Sequence, residues 1–146
     1  MRPPSRIRVL LAEGNSLVRE GLRRILEKHE WIQVVGEADN GRLAVGLVGQ
    51  LRPDVLVMEV SHSLINEVEA TRMIAARYPQ TRVLALSLYR DEIHVSEMLR
   101  AGARGYLLKD DVEIDLVPAI RGLTMGLAFL SPDVIGVVLD DWRNAI

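Results

Sequence analysis

DVLVMEVSHS, residues 54–63, decides how the fold is read. From Val55 to Met58 it is apolar at every position, and a carboxylate, Glu59, then stands where the hydrophobic run ends. A strand with one face in water alternates apolar and polar residues, whereas a strand covered on both faces has no reason to. Working outward, similar runs occur at 7–12 (IRVLLA), 31–38 (WIQVVGEA), 82–88 (RVLALSL) and 104–108 (RGYLL). Each run, including 54–60, is followed by a longer stretch with helical apolar spacing, over 16–28, 40–51, 66–77, 91–101 and 115–125. Alternating strands and helices joined by right-handed crossovers predict an α/β fold, a five-stranded parallel sheet with helices on both faces.

The punctuation agrees with this division. Asn15 or Ser16, Asn40 and Asp91 stand where helix N-caps belong, and Gly102 stands where a left-handed C-cap is wanted. Pro53 and Pro79 mark helix-to-strand turns. Pro118 would break a helix begun near Val112 but suits the first turn of one capped by Asp115, so a late start or a kink is expected there. Beyond Gly126, Ser131 as cap and Pro132 at the first helical position predict a short terminal helix. The expected organisation is one domain over 1–126 and a linker carrying that helix over 127–146.

Composition narrows the chemistry. No apolar run approaches the roughly 20 residues that cross a bilayer, and the N-terminal MRPPSRIRVLLAEG does not resemble a secretory signal. The expectation is a cytoplasmic protein without a membrane partner. Lack of cysteine excludes disulfides, thiolate nucleophiles and cysteine metal sites, while His29, His62 and His94 lack ligand spacing, so any metal chemistry must use oxygen ligands; no cofactor is expected. A net charge of -2 argues against direct nucleic-acid binding by this segment. Arg19, Arg23 and Arg24, interleaved with Leu17, Val18, Leu22, Ile25 and Leu26, read as the polar face of an amphipathic helix.

In open parallel sheets, ligands bind beyond the carboxyl ends of the strands. The residues expected there are Glu13, Gly14 and Asn15; Glu59, Val60 and Ser61; Ser87; and Lys109 with Asp110. Two carboxylates, a hydroxyl and an ammonium thus converge on one edge, although ordinary loop starts would supply the same residue types. No G-x-G-x-x-G or G-x-x-x-x-G-K-[ST] follows a strand, which argues against a nucleotide-binding enzyme. Ser87 follows no nucleophile elbow and His94 lies seven residues later on a helix, which argues against a Ser-His-Asp hydrolase. No residue is assigned a catalytic role.

The segments IRVLLAEGNSLVREGLRRIL, VVGEADNG, LRPDVLVMEVS, EATRMIAARYPQTRVLALS, LRAGARGYLLKD and LSPDV carry a resemblance. The chain resembles the receiver domain of two-component response regulators, in the branch with LuxR-type (NarL/FixJ-like) helix-turn-helix outputs. The resemblance implies a flavodoxin-like doubly wound sheet of strand order 2-1-3-4-5. It also implies a phosphoacceptor Asp ending the third strand, two Mg²⁺-binding acids after the first, a Ser or Thr ending the fourth, and a Lys ending the fifth. Ser87 and Lys109 match, and Tyr106 fills the place of the aromatic that rotates on activation. Glu59 stands at the phosphoacceptor place, Glu13 and Gly14 replace the acidic pair, and His62, Ser63 and Leu64 replace the usual Met-Pro-Gly.

Those departures have physical consequences. Gly14 removes a ligand, and Glu13 displaces its oxygens by about 1.5 Å, against a Mg²⁺ coordination distance of about 2.0 to 2.1 Å. Glu13 and Glu59 are therefore expected to hold metal weakly at most. Phosphoryl transfer depends on positioning and on neutralisation by the ion, so a phosphorylation-independent receiver is expected. Glu59 is long enough to reach toward Lys109 and Ser87, either imitating a phosphorylated state in part or leaving a static scaffold. The implied role is a signalling and dimerisation module for a transcriptional DNA-binding output outside this chain, acting as a homodimer. Candidate dimer faces are part of the wide first-helix face formed by Leu17, Val18, Gly21, Leu22, Ile25 and Leu26, or Met98, Leu99 and Tyr106. The alternative is a small-molecule-sensing pseudo-receiver, which the loop His62, Ser63, Leu64 supports.

Overall fold

The computed structural model describes residues 5–145; the outermost N-terminal residues of the segment read against a secretory signal, and Ile146, lie outside them. In chain order the elements are β1 (Ile7–Ala12), α1 (Ser16–Glu27), β2 (Ile32–Ala38), α2 (Gly41–Leu51), β3 (Val55–Glu59), α3 (Ile65–Arg77) and β4 (Arg82–Ser87). They continue with α4 (Glu92–Ala101), β5 (Gly105–Leu108), a 3₁₀ turn (Lys109–Asp111), α5 (Val112–Thr124), β6 (Phe129–Leu130) and α6 (Pro132–Ala145). Every ladder is parallel and the order is β2-β1-β3-β4-β5-β6.

The α/β class and the order of the first five strands are as expected; the sixth strand corrects the count. β6 has only two residues, too few to show a period, and it is fixed by long-range bonds. Ser131 donates its N–H to the Tyr106 carbonyl at 3.0 Å, and the Leu108 N–H donates to Ser131 Oγ at 2.9 Å. The segment expected as a linker is thus hydrogen-bonded to β5, and α6 buries Val134 completely.

Alternate residues of each strand feed opposite cores, which is why the strand sequences do not alternate in polarity. Val9, Leu11, Val57, Leu86 and Leu107 pack with α1 and α5. Leu10, Ala12, Met58, Ala85, Tyr106 and Leu108 pack with α2, α3, α4 and α6. Met98 and Tyr106 are fully buried in this second core, so they cannot form the partner surface expected of them. Leu17 on α1 is 82% exposed.

The caps place the helices as expected. Asn15 accepts from the amides of Leu17 and Val18, Asn40 from Leu43, and Asp91 from His94; Gly102 closes α4 at φ +118°. The last two helices differ from expectation: α6, expected to be short, runs for 14 residues, and α5 departs at its start. α5 starts at Val112, directly out of the 3₁₀ turn, and carries Pro118 in its interior. The ring removes the bond to the Ile114 carbonyl, and this turn tolerates the loss because Ile114 is 80% exposed, where water can serve that acceptor. Arg19, Arg23 and Arg24 meet acids rather than an open basic patch: Arg19 lies 3.1 Å from Asp39, Arg23 3.0 Å from Glu27 and Arg24 3.2 Å from Glu20. No helix among the described residues is long and apolar enough to cross a membrane.

Candidate functional site

The neighbouring strands β1, β3, β4 and β5 all run in one direction, so their carboxyl ends bring Glu13, Glu59, Ser87 and Lys109 to one edge. Glu13 is fixed by its backbone: its N–H extends the β1–β2 ladder to the Ala38 carbonyl at 3.0 Å, and its carbonyl accepts from Arg19 at 2.8 Å. Oε1 of Glu13 accepts from the Asn15 N–H at 3.2 Å, the same residue that caps α1. Glu59 is the last residue of β3, and Lys109 opens the 3₁₀ turn after β5.

Lys109 Nζ lies 3.1 Å from Oε2 of Glu59 and 3.4 Å from Oε2 of Glu13. Glu13 is almost wholly buried, at 2% exposure. Burial, then the hydrogen bond with Glu59 and that group's charge, push the Glu13 carboxyl up to about 7, against the Asn15 amide and Lys109, which act to lower it. Burial acts to raise Glu59 too, but the hydrogen bonds with Glu13 and Lys109 and the ammonium charge outweigh it, so its pKa is lowered. The two Oε2 atoms are buried without another hydrogen-bonding partner. With Glu13 protonated, the state that its raised pKa favours, the pair gains an internal donor, and the ammonium balances the one remaining negative charge. The cluster is then neutral: one carboxyl, one carboxylate and one ammonium.

Ser87 reaches this edge fully buried but turns away from Glu59. Its Oγ accepts from the Tyr89 N–H at 2.8 Å. Tyr106 lies on β5 below the edge, fully buried, and its hydroxyl donates to the Tyr89 carbonyl. Burial drives its pKa up to about 12, with the Ser87 hydrogen bond opposing and Asp91 adding to the rise. The structure therefore brings Glu13, Glu59 and Lys109 together and joins Ser87 to Tyr106 through the Tyr89 backbone. It does not join Ser87 to Glu59.

Three features were not anticipated. Tyr89 links Ser87 and Tyr106 through backbone groups, for which its side-chain identity gives no signal. Glu67, in the first turn of α3 and 6% exposed, accepts from the Ser61 N–H and so anchors the loop after Glu59; an acid in a first helical turn was the available clue. Leu64 stands at φ +67° with its side chain buried, a left-handed conformation that leucine rarely adopts. At Gly14, an added Cβ would lie 3.2 Å from the Asp39 carbonyl.

The chain matches the response regulator receiver domain over residues 9–121. It is 35% identical over 142 residues to the transcriptional regulatory protein DegU of Brevibacillus brevis, covering 97% of this chain and 60% of DegU. It is 39% identical over 123 residues to the uncharacterized transcriptional regulatory protein YxjL of Bacillus subtilis (strain 168), covering 84% of this chain and 56% of YxjL. A LuxR-family two-component response regulator from Aurantimonas sp. SI85-9A1 superposes with a TM-score of 0.86 at 29% identity, over 95% of this chain and 99% of that one. The chain thus spans 60% and 56% of the length of these two curated relatives. With the parallel sheet, the strand-end site and this match across most of its length, the chain belongs to the response regulator receiver domain family.

Proposed function

We propose that this receiver works without phosphorylation, as a signalling and dimerisation module for a transcriptional DNA-binding output outside this chain. The observation that carries the reading is Lys109 between Glu13 and Glu59, at 3.4 and 3.1 Å. A pocket that recruits Mg²⁺ needs surplus negative charge and several oxygens free to face the ion. Here burial and Glu59 raise the pKa of one carboxyl to about 7, the other is paired with an ammonium, and Gly14 supplies no third acid. The donor set does not fit the ion, and no phosphoryl step is derived through it. Among the described residues no three His, Cys, Asp or Glu side chains form a metal-holding group.

Glu59 supplies by itself part of the charge that an acyl phosphate would bring to Lys109. A carboxylate has less charge and fewer acceptor oxygens than a phosphoryl group, so the imitation is partial. The direction of Ser87, toward Tyr89 rather than Glu59, supports a switch held by the buried Tyr106 and not by a ligand on Glu59. Self-association through α1 and α5 is supported by Leu17 and Ile114, 82% and 80% exposed. The output is supported by the relatives DegU and YxjL, transcriptional regulatory proteins of greater length.

Incubation with acetyl phosphate and Mg²⁺, read by intact mass, tests the reading; unmodified protein is expected, and a stoichiometric acyl phosphate on Glu59 refutes it. A small-molecule-sensing pseudo-receiver is favoured only at another place than the strand-end pocket, where Lys109 and the two acids sit: an open, largely apolar groove of about 790 Å³ between α3 and α4, which includes Ser63 and Leu64. Binding there would raise the melting temperature in a metabolite screen, and substitution of Met73 in the groove wall would abolish the rise.

A further inference from the structure

The residues around His94 form a second titratable cluster, separate from the Glu13–Glu59–Lys109 pocket. His94 lies in the first turn of α4 and is 7% exposed. Its Nδ1 lies 2.8 Å from Oδ2 of Asp91, and its Nε2 lies 2.9 Å from the backbone carbonyl of His62. Its ring stacks on Tyr89 at a centroid distance of 4.4 Å and an interplanar angle of 18°. The His62 ring approaches both, at 5.5 Å from Tyr89 and 5.7 Å from His94.

Hydrogen-bond logic fixes the protons. A backbone carbonyl only accepts, so Nε2 must carry a hydrogen. An ionised carboxylate also only accepts, so Nδ1 must carry one as well. Burial acts to raise the Asp91 carboxyl, but its hydrogen bonds with His94 outweigh that and hold it below the ordinary value. Asp91 also accepts the backbone N–H of His94 at 3.1 Å, so one carboxylate both caps α4 and orients the ring.

We propose that His94, protonated on both nitrogens, ties the loop after Glu59 to the loop after Ser87, and that loss of its Nδ1 proton loosens this tie. One end of the tie is His62, three residues beyond Glu59. The other is Asp91 and the stacked Tyr89, whose N–H and carbonyl hold Ser87 and Tyr106. The protonation of His94 therefore bears on both halves of the switch. The groups facing the ring are His62 from the loop after β3, and Tyr89 and Asp91 from the loop after β4. Protonation of His62 opposes the tie by charge, and the positive end of α4 opposes it too, so Asp91 is the group that sustains it. The tie stands on this geometry alone; its use as a signal in place of phosphate rests on the receiver reading above.

Imidazole ¹⁵N spectra of the whole chain, recorded from acid to alkaline pH, test the proposal. Both His94 nitrogens are expected to carry protons wherever the bond to Asp91 is intact, and the amides of Ser61, Ser63, Tyr89 and Tyr106 to shift together as the Nδ1 proton is lost. Asp91→Asn keeps a helix cap but removes the charge, and is expected to weaken proton binding at His94 about tenfold or more. In His94→Gln the shared amide midpoint disappears. An Nδ1 that carries no proton while it is bonded to Asp91, a midpoint unmoved by Asp91→Asn, or loop amides that titrate unchanged in His94→Gln would each overturn it. Acetyl phosphate labelling of the same samples decides the receiver reading independently.

Discussion

The Lys109 ammonium lies 3.1 Å from Glu59 Oε2 and reaches Glu13 with the same nitrogen at 3.4 Å, so a single cation serves two buried carboxyl oxygens. The predictions below follow from that sharing and from the strained loop beside it.

Lys109→Met keeps the length of the side chain and removes its charge. It leaves the pair of acids without a counterion, in a site that is only partly open to water. A loss of about 1 to 3 kcal/mol is expected, less than for a fully buried pair because Glu59 retains some solvent contact. The denaturant midpoint should fall with the slope unchanged.

The pH dependence has two windows of opposite sign. Glu13 is raised from 4.5 to about 7 in the fold, so the folded state binds more protons in this range and stability falls as pH climbs through it. Glu59 is lowered from 4.5, so its contribution is present above that value and is lost as pH falls through its folded pKa. Melting temperatures measured from pH 4.5 to 7.5 should decline in the wild type. Glu13→Gln, which mimics the protonated carboxyl, should flatten that part of the decline due to Glu13; an unchanged slope would show that Glu13 is ionised throughout.

Restoring an acidic acceptor is not enough to restore phosphorylation. Glu59→Asp alone should remain unlabelled by acetyl phosphate, since Gly14 still supplies no carboxylate. Glu13→Asp, Gly14→Asp and Glu59→Asp together should bind Mg²⁺ and acquire label. The added Cβ at residue 14 must push the Asp39 carbonyl back by a few tenths of an ångström. Labelling of the single variant would show that the ion needs no second acid.

Leu64 reverses an ordinary rule. Glycine is usually the more destabilising replacement, but here φ is +67°, where a Cβ costs about 1 kcal/mol that glycine avoids. Leu64→Gly and Leu64→Ala both lose a buried side chain, for about 2 to 4 kcal/mol, yet the glycine variant should be the more stable of the two. Thermal melts of the pair decide the sign.

Glu59→Gln removes the charge facing Lys109 while keeping the side chain's size. If that charge biases the switch, concentration-dependent sedimentation should show weaker self-association, and Leu17→Arg should weaken it independently at the exposed face of α1. A dimer indifferent to both would place the contact elsewhere and leave Glu59 without influence on it.

The sequence by itself determined the layered α/β architecture, because double-sided burial imposes unbroken apolar runs and three helices announce their starts through Asn15, Asn40 and Asp91. It also placed Glu13, Glu59, Ser87 and Lys109 at strand ends, and a parallel sheet puts such ends on one edge. Only the tertiary structure decided what those residues touch. Ser87 faces Tyr89 rather than Glu59, Met98 and Tyr106 are interior, Pro118 sits within α5, and Phe129 and Leu130 extend the sheet. Each of these depends on groups distant in the chain, and local spacing carries no record of them. The raised pKa of Glu13 is the clearest case, since it arises only because β1 and β3 lie side by side and bury two acids that are 46 positions apart in the sequence.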